Sequence, residues 1–329
     1  MLDNSLLRYA GRRALQIPFL LIGITILSFF IFYLSPVDPV VAYFGFTTVQ
    51  KMPADDIAKV RDDLGLNKPI YMRYGAWISR LIHGDLGFSH IQHRPVLDVI
   101  LEKLPATLIL TIPAYGVAML AAIFFGLSAT ARDGSWYDRS LTGLGYVLYA
   151  TPTFLIALLM MLVFAVWLGW LPSSRMESIA DPGTLMGTIV DRIRHLILPA
   201  MALVFSHFAV FYGYIRSSLS DAMREDYITT ARAKGLDERT ILHKHAFRNS
   251  LLPIITQIGL AIPYLIAGSV VVETIFAWPG IGRLTFDAAM RSDYMLLMGI
   301  TLFTSLIVIL GNLLADVAYA VADPRVRYE

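Results

Sequence analysis

Six stretches of this 329-residue chain run for 20 residues or more without an Asp, Glu, Lys or Arg. They are Leu15–Ser35, Leu104–Ala131, Ser140–Ser174, Leu196–Ile215, Ser250–Val272 and Tyr294–Ala315. A helix crosses a hydrocarbon core about 30 Å thick with about 20 apolar residues. A soluble globule cannot bury six such blocks, and its surface needs roughly 25% charged residues. Here charged residues make up 16% and hydrophobic residues 56%. The pattern excludes a soluble enzyme, a disordered chain and a coiled coil, and predicts an all-α polytopic membrane protein. A net charge of +2 gives no footprint for nucleic acid, and with no cysteine there are no disulfides, thiolate metal sites or cysteine nucleophiles.

The blocks place spans at 15–35, 104–131, 140–171, 196–216, 251–273 and 294–316. The third block is longer than one crossing needs. It contains Gly143, Gly145 and Pro152 and ends in Trp167, Trp170 and Pro172. It reads as one tilted or kinked helix with an aromatic anchor, two short helices being the alternative. Arg8, Arg12 and Arg13 precede the first block in the manner of a signal peptide, but the apolar run is too long and no small-residue cleavage site follows. A retained first helix is expected.

Lys and Arg orient the spans. With residues 1–14 in the cytoplasm, the cytoplasmic segments hold 14 of them and the short outer loops hold 5. The long segment 36–103 holds 8 more and is discounted for its length. Both ends, including the 317–329 tail, are therefore expected in the cytoplasm.

Within 36–103, Ile57, Val60 and Leu64 share one face of a helix over 55–64, and Ile70, Tyr74, Trp77, Ile78 and Leu81 share one face of a second over 70–82. Both suit the outer membrane face or a cap on the bundle. Gly84-Asp85-Leu86-Gly87 is a turn, and residues 274–293 form a second outer turn.

The cytoplasmic segment 217–250 is the most informative. Leu219, Met223, Tyr227 and Ala231 predict one helix from Arg216 to Lys234, stopped by Gly235. Asp237 can cap a second helix through Ile241, Leu242 and Phe247. Anionic lipid would need only charge and an apolar face. Two caps around a defined turn are what a docking element needs in order to transmit force.

Thr230-Ala231-Arg232-Ala233-Lys234-Gly235-Leu236 followed by His245-Ala246-Phe247-Arg248-Asn249-Ser250-Leu251-Leu252-Pro253 resembles the cytoplasmic loop of ATP-binding-cassette (ABC) importer permeases, most closely the dipeptide/oligopeptide/nickel branch. Thr229-Thr230-Ala231 stands where the general loop has Glu-Ala-Ala, and Pro253 lies 18 residues past Gly235; both departures are similar to that branch. Gly84-Asp85-Leu86-Gly87-Phe88-Ser89, Leu104-Pro105-Ala106-Thr107-Leu108, the run from Glu273 through Trp278 to Arg283, and Asp323-Pro324-Arg325-Val326-Arg327 are similar to the same branch, in the same order.

The resemblance implies six spans of the type I importer permease fold, with a core at 104–320, in a bacterial inner membrane. It implies a heterodimer with a second permease subunit, two ATP-binding subunits beneath, and an extracytoplasmic substrate-binding protein above. Ala231, Lys234, Gly235, Leu236, Arg239, His245, Arg248 and Asn249 would couple to the ATPase. This chain would bind no cofactor, with ATP and Mg used by the partner subunits. In keeping with this, none of the six lysines is followed by Ser or Thr, so no phosphate loop exists in the sequence.

His207 is the one ionisable group deep in a span, a candidate for the translocation pathway; a histidine bonded to a neighbouring helix is the alternative. Glu273, at a span end, is a second pathway candidate, although pairing or a wet interface suits that position too. Trp278, Gly280, Gly282 and Arg283 are candidates for an outer gate or a seat for the binding protein, or an interfacial turn with a Trp anchor. His83, His90 and His93 share the outer loop, but no carboxylate completes a metal set, and no metal site is expected. An intramembrane zinc protease would need His-Glu-x-x-His, which is absent. An autonomous channel or secondary transporter would be marked by an inverted repeat or charged midplane residues, and neither is found.

Overall fold

The computed structural model describes residues 4–34, 38–63, 65–180, 183–250, 261, 264–265 and 267–322. Helix α1 (Asn4–Tyr33) packs against the last helix. Short helices α2 (Pro39–Phe44), α3 (Phe46–Gln50) and α4 (Ala54–Asp63) follow, then α5 (Ile70–Ile82). The two amphipathic helices expected over 55–64 and 70–82 thus form as α4 and α5. Trp77 of α5 is buried against Phe29 of α1, and Tyr74 shares a hydroxyl hydrogen bond of 2.9 Å with Thr25.

Two-residue strands Phe88–Ser89 and Arg94–Pro95 pair antiparallel and lead into α6 (Val96–Thr130). Pro95 supplies the N-cap, and Asp98 lies in the first turn, where the helix dipole favours an anion. Helix α6 starts eight residues before the charge-free block because Glu102 and Lys103 stay outside the apolar region and pair with each other at 2.8 Å. At about 1.5 Å per residue, α6 and α9 (Leu185–Ala222) are each over 50 Å long, and their ends project well beyond a bilayer core.

The α6–α9 pair is the main packing contact. Gly126 allows it: a Cβ there would lie 2.8 Å from Ile215 Cγ2. Leu110, Ala114, Ala118 and Ala122 of α6 and Leu198, Ala202, Leu219 and Ile215 of α9 fill this seam.

The third apolar block is two helices meeting at 102°. Helix α7 (Trp136–Ala150) ends at Thr151, and Pro152, lacking an N–H, N-caps α8 (Thr153–Met160), which continues as a wide turn over Met161–Trp167. The expected kink is therefore a full change of direction at Pro152. By length and apolarity, Val96–Thr130, Leu185–Ala222 and Tyr294–Leu313 can each cross a membrane, and the bent pair makes a fourth among the described residues.

The expected helix from Arg216 to Lys234 is broken. Helix α9 ends at Ala222, Glu225 is extended, and α10 (Asp226–Ala233) restarts. A straight helix would have carried Tyr227 inward. The break shifts the register by one, so Ile228 is fully buried and Tyr227 is exposed. Most of the expected span 251–273 lies outside the described residues. Its described end breaks at Gly268, φ +70, where Ser269 caps α12 (Val270–Ile275). The turn expected over 274–293 contains a helix, α13 (Ile281–Met290), before the final helix α14 (Tyr294–Ala322).

Candidate functional site

At one end of the bundle, α10 closes on Gly235 with φ +77. The Gly235 amide donates to Arg232 O at 2.9 Å and Leu236 N to Ala231 O at 3.3 Å, the paired bonds of a Schellman cap. Asp237 then accepts from Thr240 N at 3.0 Å and N-caps α11, which runs from Glu238 through Ala246. Arg232 and Glu238 bracket the turn in a two-bond pair at 2.7 and 3.1 Å. The Arg232 guanidinium holds the Glu238 carboxyl below its usual range, and the bonds from Thr240 do the same for Asp237.

The turn is seated from below. Ile228, Ala231, Ile241, Leu242 and Ala246 are buried in the main core cluster. Lys234, Gly235, Leu236 and Arg239 form an exposed crest, and Arg248 and Asn249 are exposed a turn beyond. His245 is half-buried, and Ala231 faces inward. Ser250 Oγ donates to Ser218 O at 3.2 Å, holding the far arm against α9.

A second tie lies beside this turn. Arg216 donates from Nε to Asp138 Oδ1 at 3.0 Å and from Nη2 to Asp133 Oδ1 at 2.5 Å. Asp138 is buried and also accepts from Gly134 N at 3.1 Å. The loop before α7 and the end of α9 are thereby fixed to each other.

At the other end, Glu273 is fully buried. Its Oε1 accepts from Thr107 Oγ1 at 3.2 Å and its Oε2 from Arg283 N at 3.0 Å. Thr107 Oγ1 in turn accepts from Ile281 N at 2.7 Å. Trp278 is also fully buried, its indole N–H donating to Ala106 O at 2.8 Å, so it is an internal anchor and not an interfacial one. Gly280 and Gly282 are close-approach positions. A Cβ at Gly280 would sit 2.5 Å from Thr107 Oγ1, and one at Gly282 would sit 2.7 Å from Val270 N. Arg283 Nη1 donates to Ala277 O at 2.6 Å, closing the turn in which Ala277 has φ +50. The sequence-selected residues 273, 278, 280, 282 and 283 thus share one hub, completed by Thr107, in which Arg283 contributes its backbone amide and keeps its side chain partly exposed.

His207 stands in an aromatic cluster. Its ring is 4.1 Å from that of Tyr115 and 6.2 Å from that of Phe211, and Nδ1 bonds Leu203 O at 3.0 Å. No group of three metal-ligating side chains forms among the described residues. His90 instead lies beside buried Asp293, its Nδ1 3.4 Å from Oδ1. Asp293 accepts from Ser89 Oγ at 2.5 Å and Leu296 N at 3.2 Å, so it both caps α14 and pins the strand. Burial pushes the His90 imidazole below its ordinary value, Asp293 opposing and His93 assisting.

A family profile described as the binding-protein-dependent transport system inner membrane component matches residues 106–328, and the N-terminal profile of the same system matches residues 6–111. This chain belongs to that family. It is a multi-pass permease of the inner membrane. The permease is 40% identical to the oligopeptide transport system permease AppB of Bacillus subtilis, over 97% of this chain and 99% of the relative. It is 35% identical to the dipeptide transport system permease DppB of Alkalihalophilus pseudofirmus, over 98% and 100% respectively. A putative peptide permease of Brucella suis is 36% identical over 98% of this permease and 99% of its own length. The profile spans the capped turn, the Arg216 tie and the Glu273 hub.

Three contributors escaped sequence reasoning. Thr107 lies in a quoted motif, but its hydroxyl reads as one polar atom in an apolar run. Asp293 had a legible signal, an acid just ahead of a span where an N-cap belongs. The Asp138–Arg216 tie had none, since nothing local pairs residues 78 positions apart.

Proposed function

We propose that this permease is one half of the translocation pathway of an ATP-driven ABC importer for peptides or peptide-like solutes. The reading includes six spans with both ends in the cytoplasm and a heterodimer with a second permease. Two ATPase subunits lie beneath it, using ATP and Mg, and an extracytoplasmic binding protein delivers the solute. The carrying observation is the capped turn at Gly235. Its exposed crest stands on a buried apolar base continuous with the α6–α9 core. A load applied at Lys234, Leu236 or Arg239 passes into the bundle without melting the loop.

ATP-driven closure of the ATPases moves this crest, and the bundle changes between inward-open and outward-open states. A partner binding the two states differently is sufficient to drive the change. Peptide cargo is supported by the relatives, whose names describe oligopeptide, dipeptide and peptide transport. Glu273 acts as the tie that holds the outer turn to α6, and His207 with Tyr115 is the better candidate for contact with the solute.

The test is purification of the tagged chain from its own membrane with mass spectrometry of stoichiometric partners. A second six-span chain and ATPase subunits are expected. Recovery of the chain alone, even after mild crosslinking, would refute the importer reading. The lack of cysteine makes topology accessible to single introduced cysteines. Lys234→Cys should react with an impermeant maleimide only from the cytoplasmic side.

A further inference from the structure

A cavity of about 980 Å³ opens between the loop before α7 and the turn at Gly235. Five arginines line it, Arg132, Arg216, Arg224, Arg232 and Arg239, against two carboxylates, Asp133 and Glu238. Those carboxylates are already committed, Asp133 to Arg216 at 2.5 Å and Glu238 to Arg232 at 2.7 Å. Arg132, Arg224 and Arg239 have no carboxylate partner among the described residues. The Arg132 guanidinium lies 4.9 Å from the Tyr137 ring, which holds it without neutralising it. Helix dipoles account for a cation just past α6 at Arg132 and another just past α9 at Arg224. They do not account for both meeting Arg239, from a third element, across one cavity.

Such a site suits a phosphate, whose oxygens take paired guanidinium bonds. Two features give its depth. The cavity lies where α6 and α9 leave their apolar stretches, and part of its wall is apolar, from Ala131, Met223 and Leu242. Beside it Trp136 stands 83% exposed, the position of an indole at the headgroup level. Basic pockets on the cytoplasmic side of membrane helices bind anionic headgroups. We propose that this cavity holds the phosphate of an anionic phospholipid of the inner leaflet. The lipid would then brace the loop before α7 against the turn that receives the ATPase. The inference rests on the cytoplasmic placement of this end proposed above.

The assay uses the whole complex in nanodiscs of phosphatidylcholine doped with phosphatidylglycerol, and reads retained phosphatidylglycerol by native mass spectrometry. Arg132→Gln and Arg224→Gln should each weaken retention about five-fold and the double variant about 25-fold, at about one screened charge contact per arginine. Lysine at both positions keeps the charge but not the paired guanidinium bonds, so retention should fall between those of the parent and the double glutamine variant. Unchanged retention in the double variant overturns the proposal. Inorganic phosphate binding equally well in pure phosphatidylcholine discs also overturns it, making the ligand a soluble anion. So does loss of the ATPase subunits with lipid retained, which would give the cavity to the ATPase. Asp221→Cys labelled only from outside the cell would show instead that the orientation itself is wrong.

Discussion

Replacing Glu273 with Ala separates a tie from a pathway residue. In the structure its carboxyl accepts from Thr107 Oγ1 and from the Arg283 amide, at a site with no exposure. Truncation leaves both donors buried without an acceptor, at about 1–3 kcal/mol each, so about 2–6 kcal/mol in total. Thr107 also holds Ile281 N, so the loss spreads to the start of α13. At about 2 °C per kcal/mol for a chain of this size, the unfolding midpoint of the purified complex should fall by roughly 4–12 °C. Protease sensitivity should appear in residues 274–293 first. Glu273→Gln keeps one acceptor and should recover about half of the loss. The readouts are thermal unfolding in detergent and solute uptake in vesicles. An unchanged midpoint with abolished uptake would refute the tie and return Glu273 to the translocation path.

Gly282→Ala places a methyl 2.7 Å from Val270 N and 2.9 Å from Ser269 C, backbone atoms that cannot step aside. A destabilisation of about 1–3 kcal/mol is expected, again read by unfolding of the complex. Gly235→Val forces a β-branched residue into φ +77, so the turn should loosen. Insertion should remain normal while co-purified ATPase and uptake both fall. The His90 corner should weaken in acid. The folded chain prefers the neutral imidazole, so its contribution is complete above about pH 6.5 and declines as the pH drops below that value. Protease protection of residues 84–95 measured against pH should show the decline, and His90→Gln should flatten it.

What the sequence determined by itself was whatever a local rule can state. Charge-free length marks the bilayer stretches, and α6, α9 and α14 cover three of them. Period 3.6 marks α4 and α5, and the residue preferences of caps mark Gly235 and Asp237. Family motifs marked Glu273 and the run to Arg283 without saying what those residues touch. Only the tertiary structure decided the contacts made across long separations. Glu273 meets Thr107 across 166 residues and Trp278 meets Ala106 across 172. Pro152 announces a bend, but its 102° depends on how α7 and α8 each pack on α9. The break at Glu225 has the same cause: intrinsic propensity favours continuing the helix, and the burial of Ile228 in place of Tyr227 overrides it. Local preferences of a few tenths of a kcal/mol per residue give way wherever a fully buried side chain gains more.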